Sequence, residues 1–410
     1  MNMNRRKSLL SLLVLFAMVT NGCSMTSKEE HNPDVDLIQN QTMDTSDETP
    51  IEEPSDEELI EAEIDEWIAT HSLDEKICQL FIITPEALTG YGTVTAAGDA
   101  TEEKIEEYPV GGIIYFKDNL ETPDQTREML SNTKHFYDDH GFLTPFLVTD
   151  EEGGKVARIE NNLNFDLDNV GSMRDIGDTG DVQAASEVGT TLGSYLYDIG
   201  FNMDMAPVAD VLTNPKNEVI GNRSFGTDSE LVADMAIAEA NAMSTEGVVP
   251  VYKHFPGHGA TTGDSHDGFV SVEKTLEELQ EAELIPFQRA IDQDADVIMV
   301  GHISVPNITG NNEPSSLSEY MISDVLRNQM GYDGIVITDA MNMGAIKDNY
   351  GSGEMAVKAV HAGVDIILMP ADFHTAYDAI LDAVQSGEIS EERIDESLRR
   401  ILRVKLRMEE

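Results

Sequence analysis

Eight short apolar runs recur along this 410-residue chain, separated by polar or glycine-containing loops and by stretches with helical periodicity. Near-continuous apolar runs of this length are typical of parallel strands that are buried on both faces. Eight alternating units of this kind predict an α/β fold, a (β/α)8 TIM barrel, in a single domain. A doubly wound open sheet is the alternative, but no G-x-G-x-x-G segment follows a predicted strand. The predicted strands are residues 79–83, 112–116, 146–149, 201–205, 248–252, 297–300, 335–338 and 366–369.

Helical spacing of apolar residues predicts the elements that cover these strands. A first helix is expected from about Asp56, where apolar side chains recur three and four residues apart as far as Ile68. Further helices are predicted over residues 182–198, 229–246, 276–292, 355–363, 376–386 and 394–408.

Composition excludes several classes of protein. The chain has 77 acidic and 26 basic side chains, a formal net charge of −51. A general nucleic-acid binder is excluded because phosphate backbones need a basic face, and docking on anionic lipid is disfavoured for the same reason. Hydrophobic residues at 40% and charged residues at 25% suit a soluble globular domain. Two cysteines, Cys23 and Cys78, cannot build a disulfide framework, so Cys78 is expected to be unpaired and buried.

The N-terminus has the pattern of an export signal. Three basic residues at 5–7 precede an apolar stretch over 9–19 that is too short to span a bilayer, and small residues lead into Cys23. This resembles a bacterial lipoprotein signal over residues 1–22, with Cys23 as the lipidated first mature residue. An ordinary secreted protein is the alternative. Residues 23–57 are predicted to be an acidic disordered tether and residues 58–410 the barrel domain, because residues 28–66 hold 16 Asp or Glu against one Lys.

Several predicted strands end in a chemically capable side chain. Asp150 follows the third strand, Lys253 and His254 the fifth, His302 the sixth and Asp339 the seventh. In a TIM barrel the carboxyl ends of all strands meet on one face, which is where active sites lie. We therefore expect these groups to converge.

The segment from Lys253 to His266 holds three histidines, a lysine and an aspartate within fourteen residues. Asp264 precedes His266 by two residues, so its carboxylate can accept the ring N–H and raise the basicity of the other nitrogen. Such a histidine is a general acid/base that titrates near neutral pH. One alternative is a metal site of His254, His258 and His266, although Pro256 and the glycines disfavour a helix there. The other is a structural loop.

Three more segments carry candidate groups. Asp339 at the mouth of a buried strand suits a nucleophile, and equally suits the N-cap of a following helix. Asp150 is followed by a glycine turn and by Arg158. Arg223 can hold a hydroxyl or carboxylate in its fork, or form a salt bridge that fixes a long loop.

In this order, the segments resemble glycoside hydrolase family 3, and most closely its bacterial β-N-acetylglucosaminidase (β-hexosaminidase) branch. The most specific signature is Lys-His-Phe-Pro-Gly-His-Gly…Asp-Ser-His at 253–266; Asp-x-Glu-Gly-Gly-x-Val at 150–156 and Ile-Gly-x-Arg-Ser-Phe-Gly at 220–226 belong to the wider family. The resemblance spans roughly residues 60–408. The chain departs from the family pattern at Lys155, where Arg is commoner, and at Ala340 and Met341, where a second Asp and a Leu often follow the nucleophile.

The resemblance implies a retaining, exo-acting β-N-acetylglucosaminidase that acts on cell-wall fragments, as in peptidoglycan recycling, or on chitin-type oligosaccharides. Asp339 is then the nucleophile, and His266 the acid/base with Asp264 as its partner. The terminal sugar is then bound by Asp150, Arg158, Arg223, Lys253 and His254. No metal or cofactor is implied. The predicted protein is a monomer, exported and held by its lipid on the outer face of the cytoplasmic membrane.

Four other functions stay open at this stage. They are a β-glucosidase of the same family, an N-acetylglucosaminide phosphorylase, a metal-dependent hydrolase and a non-catalytic sugar-binding lipoprotein. A histidine acid/base adds no negative charge beside an incoming anion, which is why phosphate is a possible acceptor. The Asp264 and His266 pair disfavours the glucosidase, since that signature belongs to the acetamido-sugar branch.

Overall fold

A computed structural model describes residues 54–261 and 270–409, and its main sheet is a ring of eight parallel strands. Each strand pairs with its neighbours in chain order, and β1 also pairs with β8 through Phe81 and Ile367. A parallel bridge between Ile337 and Ile366 joins β7 to the start of β8 and closes the ring. The predicted (β/α)8 barrel is confirmed, and the open-sheet alternative is wrong. The strands are β1 Phe81–Ile83, β2 Gly112–Ile114, β3 Phe146–Thr149, β4 Met203–Asp204, β5 Val249–Phe255, β6 Val297–Val300, β7 Ile335–Thr338 and β8 Ile367–Leu368.

The barrel interior is filled by alternate residues of the strands, because successive side chains of a strand point to opposite faces. Phe146 and Val148 of β3 contribute in this way, as do Ile335 and Ile337 of β7. The C-terminal helix Glu391–Met408 adds Ile401 and Val404 to the same cluster and so closes the barrel at the amino ends of the strands. The opposite end, at the carboxyl ends of the strands, is where the candidate site lies.

Helices cover the outside of the ring, and many of them begin after a residue whose side chain caps the first turn. The first begins at Asp56, where Ser55 and Glu58 form a reciprocal capping box. The predicted helix over 276–292 is two helices, since Pro286 has no N–H to continue the ladder through the turn before it. The helices are Asp56–Thr70, Leu73–Cys78, Pro85–Thr89, Asp99–Glu107, Pro123–His140, Met173–Gly177, Val182–Ile199, Ser229–Thr245, Leu276–Gln280, Ile285–Ile291, Pro306–Thr309, Gly344–Lys347, Ser352–Ala362, Phe373–Ser386 and Glu391–Met408, with a π-helix at Tyr320–Gln329.

The predicted signal, Cys23 and most of the predicted tether lie outside the described residues, and the domain boundaries stay predictions. Of the helices within residues 54–261 and 270–409, none combines the length and the apolarity needed to cross a bilayer. Cys78 is a free thiol, buried as expected.

A lysine lies inside the closed end of the barrel. Lys405 of the C-terminal helix is fully buried, donates to Gln79 Oε1 at 2.8 Å and sits 5.0 Å from the ring centroid of Phe146. Burial lowers the pKa of Lys405 to about 7, with Glu409 opposing the shift. The ammonium form is therefore disfavoured in the folded chain, whereas an unfolded lysine titrates near about 10.4.

Lys405→Met should raise the free energy of unfolding at pH 7 by about 2 kcal/mol. Between pH 7 and about 10.4 the unfolded wild-type chain binds one more proton than the folded chain, so wild-type stability rises with pH. The advantage of the variant should therefore shrink at pH 9.5. Denaturant titrations at both pH values measure this, with the exposed Lys347→Met as control. The lowered pKa of Lys405 is contradicted if the variant is no more stable than the wild type at pH 7. It is also contradicted if the difference in unfolding free energy grows with pH.

Candidate active site

The structure brings Asp150, Lys253 and Glu152 together at the carboxyl end of the barrel. Lys253 lies within β5, which runs three residues beyond its predicted end, and its Nζ is 3.0 Å from Asp150 Oδ1 and 2.6 Å from Glu152 Oε1. Burial lowers the pKa of Lys253, but the two carboxylates outweigh it and hold the pKa above its ordinary value. Lys253 is therefore a fixed positive charge, 3% exposed.

Both predicted arginines join this network. Arg158 Nη2 donates to Asp150 Oδ2 at 3.1 Å, and its guanidinium lies 5.5 Å from the ring centroid of Phe116. Arg223 donates from Nε and Nη2 to the two oxygens of Glu152, both at 2.7 Å. The sequence left a salt bridge as the other possible role of Arg223, and this salt bridge is present. Burial raises the pKa of Glu152, yet Arg223 and Lys253 outweigh it, so Glu152 stays ionised.

A second buried carboxylate holds the loop that carries Arg158. Glu151 accepts the backbone N–H groups of Arg158, Ile159 and Glu160 at 2.5, 2.9 and 2.9 Å. It also accepts the Tyr195 hydroxyl at 2.8 Å. Four donors on one carboxylate fix the turn after the hairpin strand Val156–Ala157, and with it the position of Arg158.

His254 is oriented by a carboxylate that sequence reasoning missed. Its Nδ1 lies 2.7 Å from Asp210 Oδ2, and Asp210 Oδ1 accepts the backbone N–H of His258 at 2.6 Å. Arg223 Nη2 lies 3.5 Å from His254 Nε2. With Nδ1 bound to Asp210, the Nε2 side of the ring faces the cationic network and is available to a ligand.

His266, one of the three residues of the metal alternative, lies outside the described residues. The Nδ1 atoms of the other two, His254 and His258, lie 2.7 Å from Asp210 Oδ2 and 3.1 Å from the Thr261 hydroxyl. Within 54–261 and 270–409, no group of three His, Cys, Asp or Glu has a geometry that could hold a metal ion.

Asp339 follows β7 directly. Its Oδ1 accepts the N–H of Ala340 at 2.8 Å, and its own N–H donates to Val300 O at 2.9 Å. The next helix begins at Gly344 and its N-cap is Met343, so the N-cap alternative for Asp339 is wrong. Burial raises the pKa of Asp339, but His302, His254 and the Ala340 N–H outweigh it and leave the pKa below its ordinary value. Asp339 is therefore an ionised carboxylate at neutral pH.

The predicted acid/base pair, Asp264 and His266, lies outside the described residues. The chain is described up to Thr261, whose N–H donates to His258 O at 3.0 Å. It is described again from Val270, where the short strand Val270–Ser271 pairs in parallel with Ile303–Ser304. Both flanks of the segment therefore lie beside the strand ends of β5 and β6.

A small cavity adjoins the network. Its volume is about 110 Å³, and Glu152 and Arg223 form one of its walls. The hairpin that follows β3 forms another, so the cavity opens beside the cluster of charges rather than at the closed end of the barrel. It is lined by Glu152, Gly153, Gly154, Lys155, Ser172, Met173, Asn222 and Arg223.

Sequence reasoning left four contributing residues without a role, and the signals for them differ. Glu152 lies inside the Asp-x-Glu-Gly-Gly segment, and His302 was placed at a strand end. Asp210 is a single charge in the apolar stretch 205–211, which is itself a signal of a buried partner. Glu151 gives no such signal, because it is one of three consecutive acidic residues.

Comparison with known proteins agrees with this architecture. The family described as "Glycosyl hydrolase family 3 N terminal domain" matches residues 72–404. A match over most of the chain, on a TIM barrel with charged groups at its strand ends, defines the class. The chain belongs to glycosyl hydrolase family 3.

Individual relatives point the same way. The chain is 33% identical over 342 residues to the β-hexosaminidase LpqI of Mycobacterium tuberculosis, covering 81% of this chain and 82% of the relative. It is 30% identical over 331 residues to β-hexosaminidase A of Pseudoalteromonas piscicida, covering 75% of this chain but only 55% of that protein. A family 3 β-N-acetylglucosaminidase structure from Paenibacillus sp. str. FPU-7 superposes with a TM-score of 0.78 at 38% identity, covering 83% of this chain and 63% of that one.

Proposed function

We propose that this chain is a retaining, exo-acting β-N-acetylglucosaminidase that releases terminal β-linked N-acetylhexosamine. The observation that carries the proposal is the ionised Asp339 at the end of β7, on the same barrel face as the network of Asp150, Glu152, Lys253 and Arg223. A carboxylate nucleophile beside fixed hydrogen-bonding charges is what glycosyl transfer to an enzyme requires. The names of the relatives support the acetamido sugar as the substrate.

The proposed reaction has two displacements. Asp339 attacks the anomeric carbon, the glycosidic C–O bond breaks, and His266 gives its proton to the departing oxygen. Water then attacks the glycosyl–Asp339 ester while His266 takes the proton back, which returns both groups to their starting states. Asp264 holds the imidazole of His266 in the required tautomer.

The sugar would be held by the groups that already surround the site. Lys253 and Arg158 share the carboxylate of Asp150, which leaves further donors and acceptors for sugar hydroxyls. Arg223 Nη2 and His254 Nε2 lie 3.5 Å apart in the same network. These five groups offer both donors and acceptors, as a ring of hydroxyls needs.

The proposed location is supported by the export pattern of the N-terminus, and the proposed natural substrate by the family resemblance together with that pattern. Export with lipid attachment at Cys23 would hold the domain on the outer face of the cytoplasmic membrane, beside cell-wall fragments or chitin-type oligosaccharides. Metabolic labelling with a radioactive fatty acid tests the attachment. Label on the wild-type chain but not on Cys23→Ser supports lipid attachment at Cys23. Absence of label from both proteins would contradict it.

Release of p-nitrophenol tests the activity. The protein beginning at Ser27 should cleave the aryl β-N-acetylglucosaminide much faster than the aryl β-glucoside, without added phosphate. A preference for the glucoside would overturn the sugar assignment. Strong stimulation by phosphate, with a sugar phosphate as product, would identify a phosphorylase. Silence on both substrates would favour a binding protein.

His266→Ala should slow substrates with poor leaving groups far more than activated aryl glycosides. An activated phenol leaves without protonation, so loss of the acid costs it little in the first displacement. The ratio of kcat/KM for chitobiose to kcat/KM for the 2,4-dinitrophenyl glycoside should fall by about 100-fold or more. Equal losses on the two substrates would mean that His266 is not the acid.

A further inference from the structure

His302 lies beside the nucleophile and both of its ring nitrogens are engaged. It follows β6 by two residues and is 5% exposed. Its Nε2 is 3.1 Å from the carbonyl oxygen of Ala340, the residue after Asp339. Its Nδ1 is 2.7 Å from the hydroxyl of Ser316, which is fully buried.

These contacts fix the tautomer of the ring. A carbonyl oxygen only accepts, so Nε2 of His302 must carry the proton that is donated to Ala340. The Ser316 hydroxyl can then donate to Nδ1, which satisfies both nitrogens of a neutral ring. Burial lowers the pKa of His302, while the charge of Asp339 opposes the shift. Neutral His302 is thus a directional donor aimed at one peptide group.

Ala340 connects His302 to the Asp339 carboxylate through two successive peptide groups. Its N–H, in the Asp339–Ala340 peptide, donates to Asp339 Oδ1 at 2.8 Å, and its C=O, in the Ala340–Met341 peptide, accepts from His302. The N–H of the Ala340–Met341 peptide donates to Leu368 O at 2.9 Å, so this peptide is held to β8 as well as to His302. With that peptide fixed, rotation about the backbone bonds of Ala340 is restricted, and the N–H that holds Oδ1 keeps its direction.

We propose that His302, held by Ser316, is a positioning residue that fixes the Ala340–Met341 peptide, and with it the Ala340 N–H that aims the nucleophile at the anomeric carbon. The inference rests on the proposed function, in which Asp339 is the nucleophile. His302 acts through Ala340 and makes no bond to the sugar. Its loss should therefore lower the rate of glycosyl transfer and leave sugar binding largely intact.

Steady-state kinetics of the full chain on 4-nitrophenyl β-N-acetylglucosaminide test the proposal at 20 °C. His302→Ala should lower kcat by about 10-fold to 100-fold with KM within about 3-fold. His302→Gln should recover most of that loss, because its amide can donate to Ala340 from nearly the same place. Ser316→Ala should lower kcat by a few-fold, since the ring stays but loses the group that fixes its tautomer.

A matched control separates positioning from folding. Ser315 is the neighbouring buried serine, and its hydroxyl donates to Ile303 O at 2.7 Å, whereas the hydroxyl at His302 Nδ1 is that of Ser316. Ser315→Ala should keep kcat per folded molecule, with the folded fraction taken from thermal unfolding. Equal losses of kcat in Ser315→Ala and Ser316→Ala would overturn the proposal, as would His302→Gln no better than His302→Ala.

Asp339→Ala in the same assay distinguishes a failure of the proposed nucleophile from a failure of the proposed positioning role of His302. If Asp339→Ala stays active, the nucleophile assignment fails. If Asp339→Ala is inactive while both His302→Ala and Ser316→Ala keep wild-type kcat, only the positioning role fails.

Discussion

Asp339→Ala is expected to abolish turnover, with a loss in kcat of about 10⁴-fold or more, while the barrel stays folded. Asp339 is ionised and held by the Ala340 N–H at the end of β7, and within residues 54–261 and 270–409 it makes no salt bridge on which the fold depends. Without it no covalent intermediate can form. Release of p-nitrophenol from the β-N-acetylglucosaminide measures the loss, and circular dichroism checks the fold.

Sodium azide gives this variant a second readout. The small anion fits the space left by the carboxylate and attacks the anomeric carbon from the same side, so it should restore part of the turnover and yield an α-glycosyl azide. The matched control is Asp348→Ala, an exposed aspartate on the same connection, which should keep wild-type activity. Near-normal turnover by Asp339→Ala, or a β-configured azide, would remove Asp339 from the nucleophile's role.

The barrel could be predicted from the sequence because its strands are buried on both faces. Residues 146–149, 297–300 and 335–338 were predicted with the bounds that the structure has, since each is an uninterrupted apolar run between polar loops. The bounds of β4 and β5 were less accurate. The prediction for β5 ended at 252 because Lys253 is charged, whereas the strand continues to Phe255. The prediction for β4, residues 201–205, was longer at both ends than the observed strand Met203–Asp204.

The partners of the site residues could not be predicted in the same way. Glu152 binds Arg223 from 71 positions away, and Asp210 binds His254 from 44 positions away. Such pairs depend on which strands are neighbours in the ring and on which side chains point to its carboxyl end. The sequence therefore indicates that Arg223 and His254 are chemically capable, but only the folded chain shows that Glu152 and Asp210 hold them.

The opposite end of the barrel contains a buried carboxylate on which stability should depend strongly. Asp365, just before β8, is fully buried and accepts the N–H of Val336 at 2.9 Å and the Ser397 hydroxyl at 2.6 Å. Burial raises its pKa, but three guanidinium groups outweigh this and hold the pKa below its ordinary value. They belong to Arg327 of the π-helix and to Arg393 and Arg400 of the C-terminal helix, at 2.5, 3.9 and 3.3 Å.

Asp365→Ala should lower the free energy of unfolding by about 3–5 kcal/mol, because it leaves these arginines without their shared buried counter-charge. The control is Asp333→Ala, which removes another partner of Arg400, at 3.0 Å, whose side chain is 76% exposed. Asp333→Ala should cost less than about 1 kcal/mol.

The stabilisation by Asp365 should also depend on pH. Since the pKa of Asp365 is lower in the folded chain, its contribution to the free energy of unfolding is present above about pH 4. That contribution is lost as the pH falls through the pKa of the folded chain. The gap in stability between the wild type and Asp365→Asn should therefore narrow on acidification. Denaturant titrations from pH 7 downward measure this, and equal losses for Asp365→Ala and Asp333→Ala at pH 7 would contradict it.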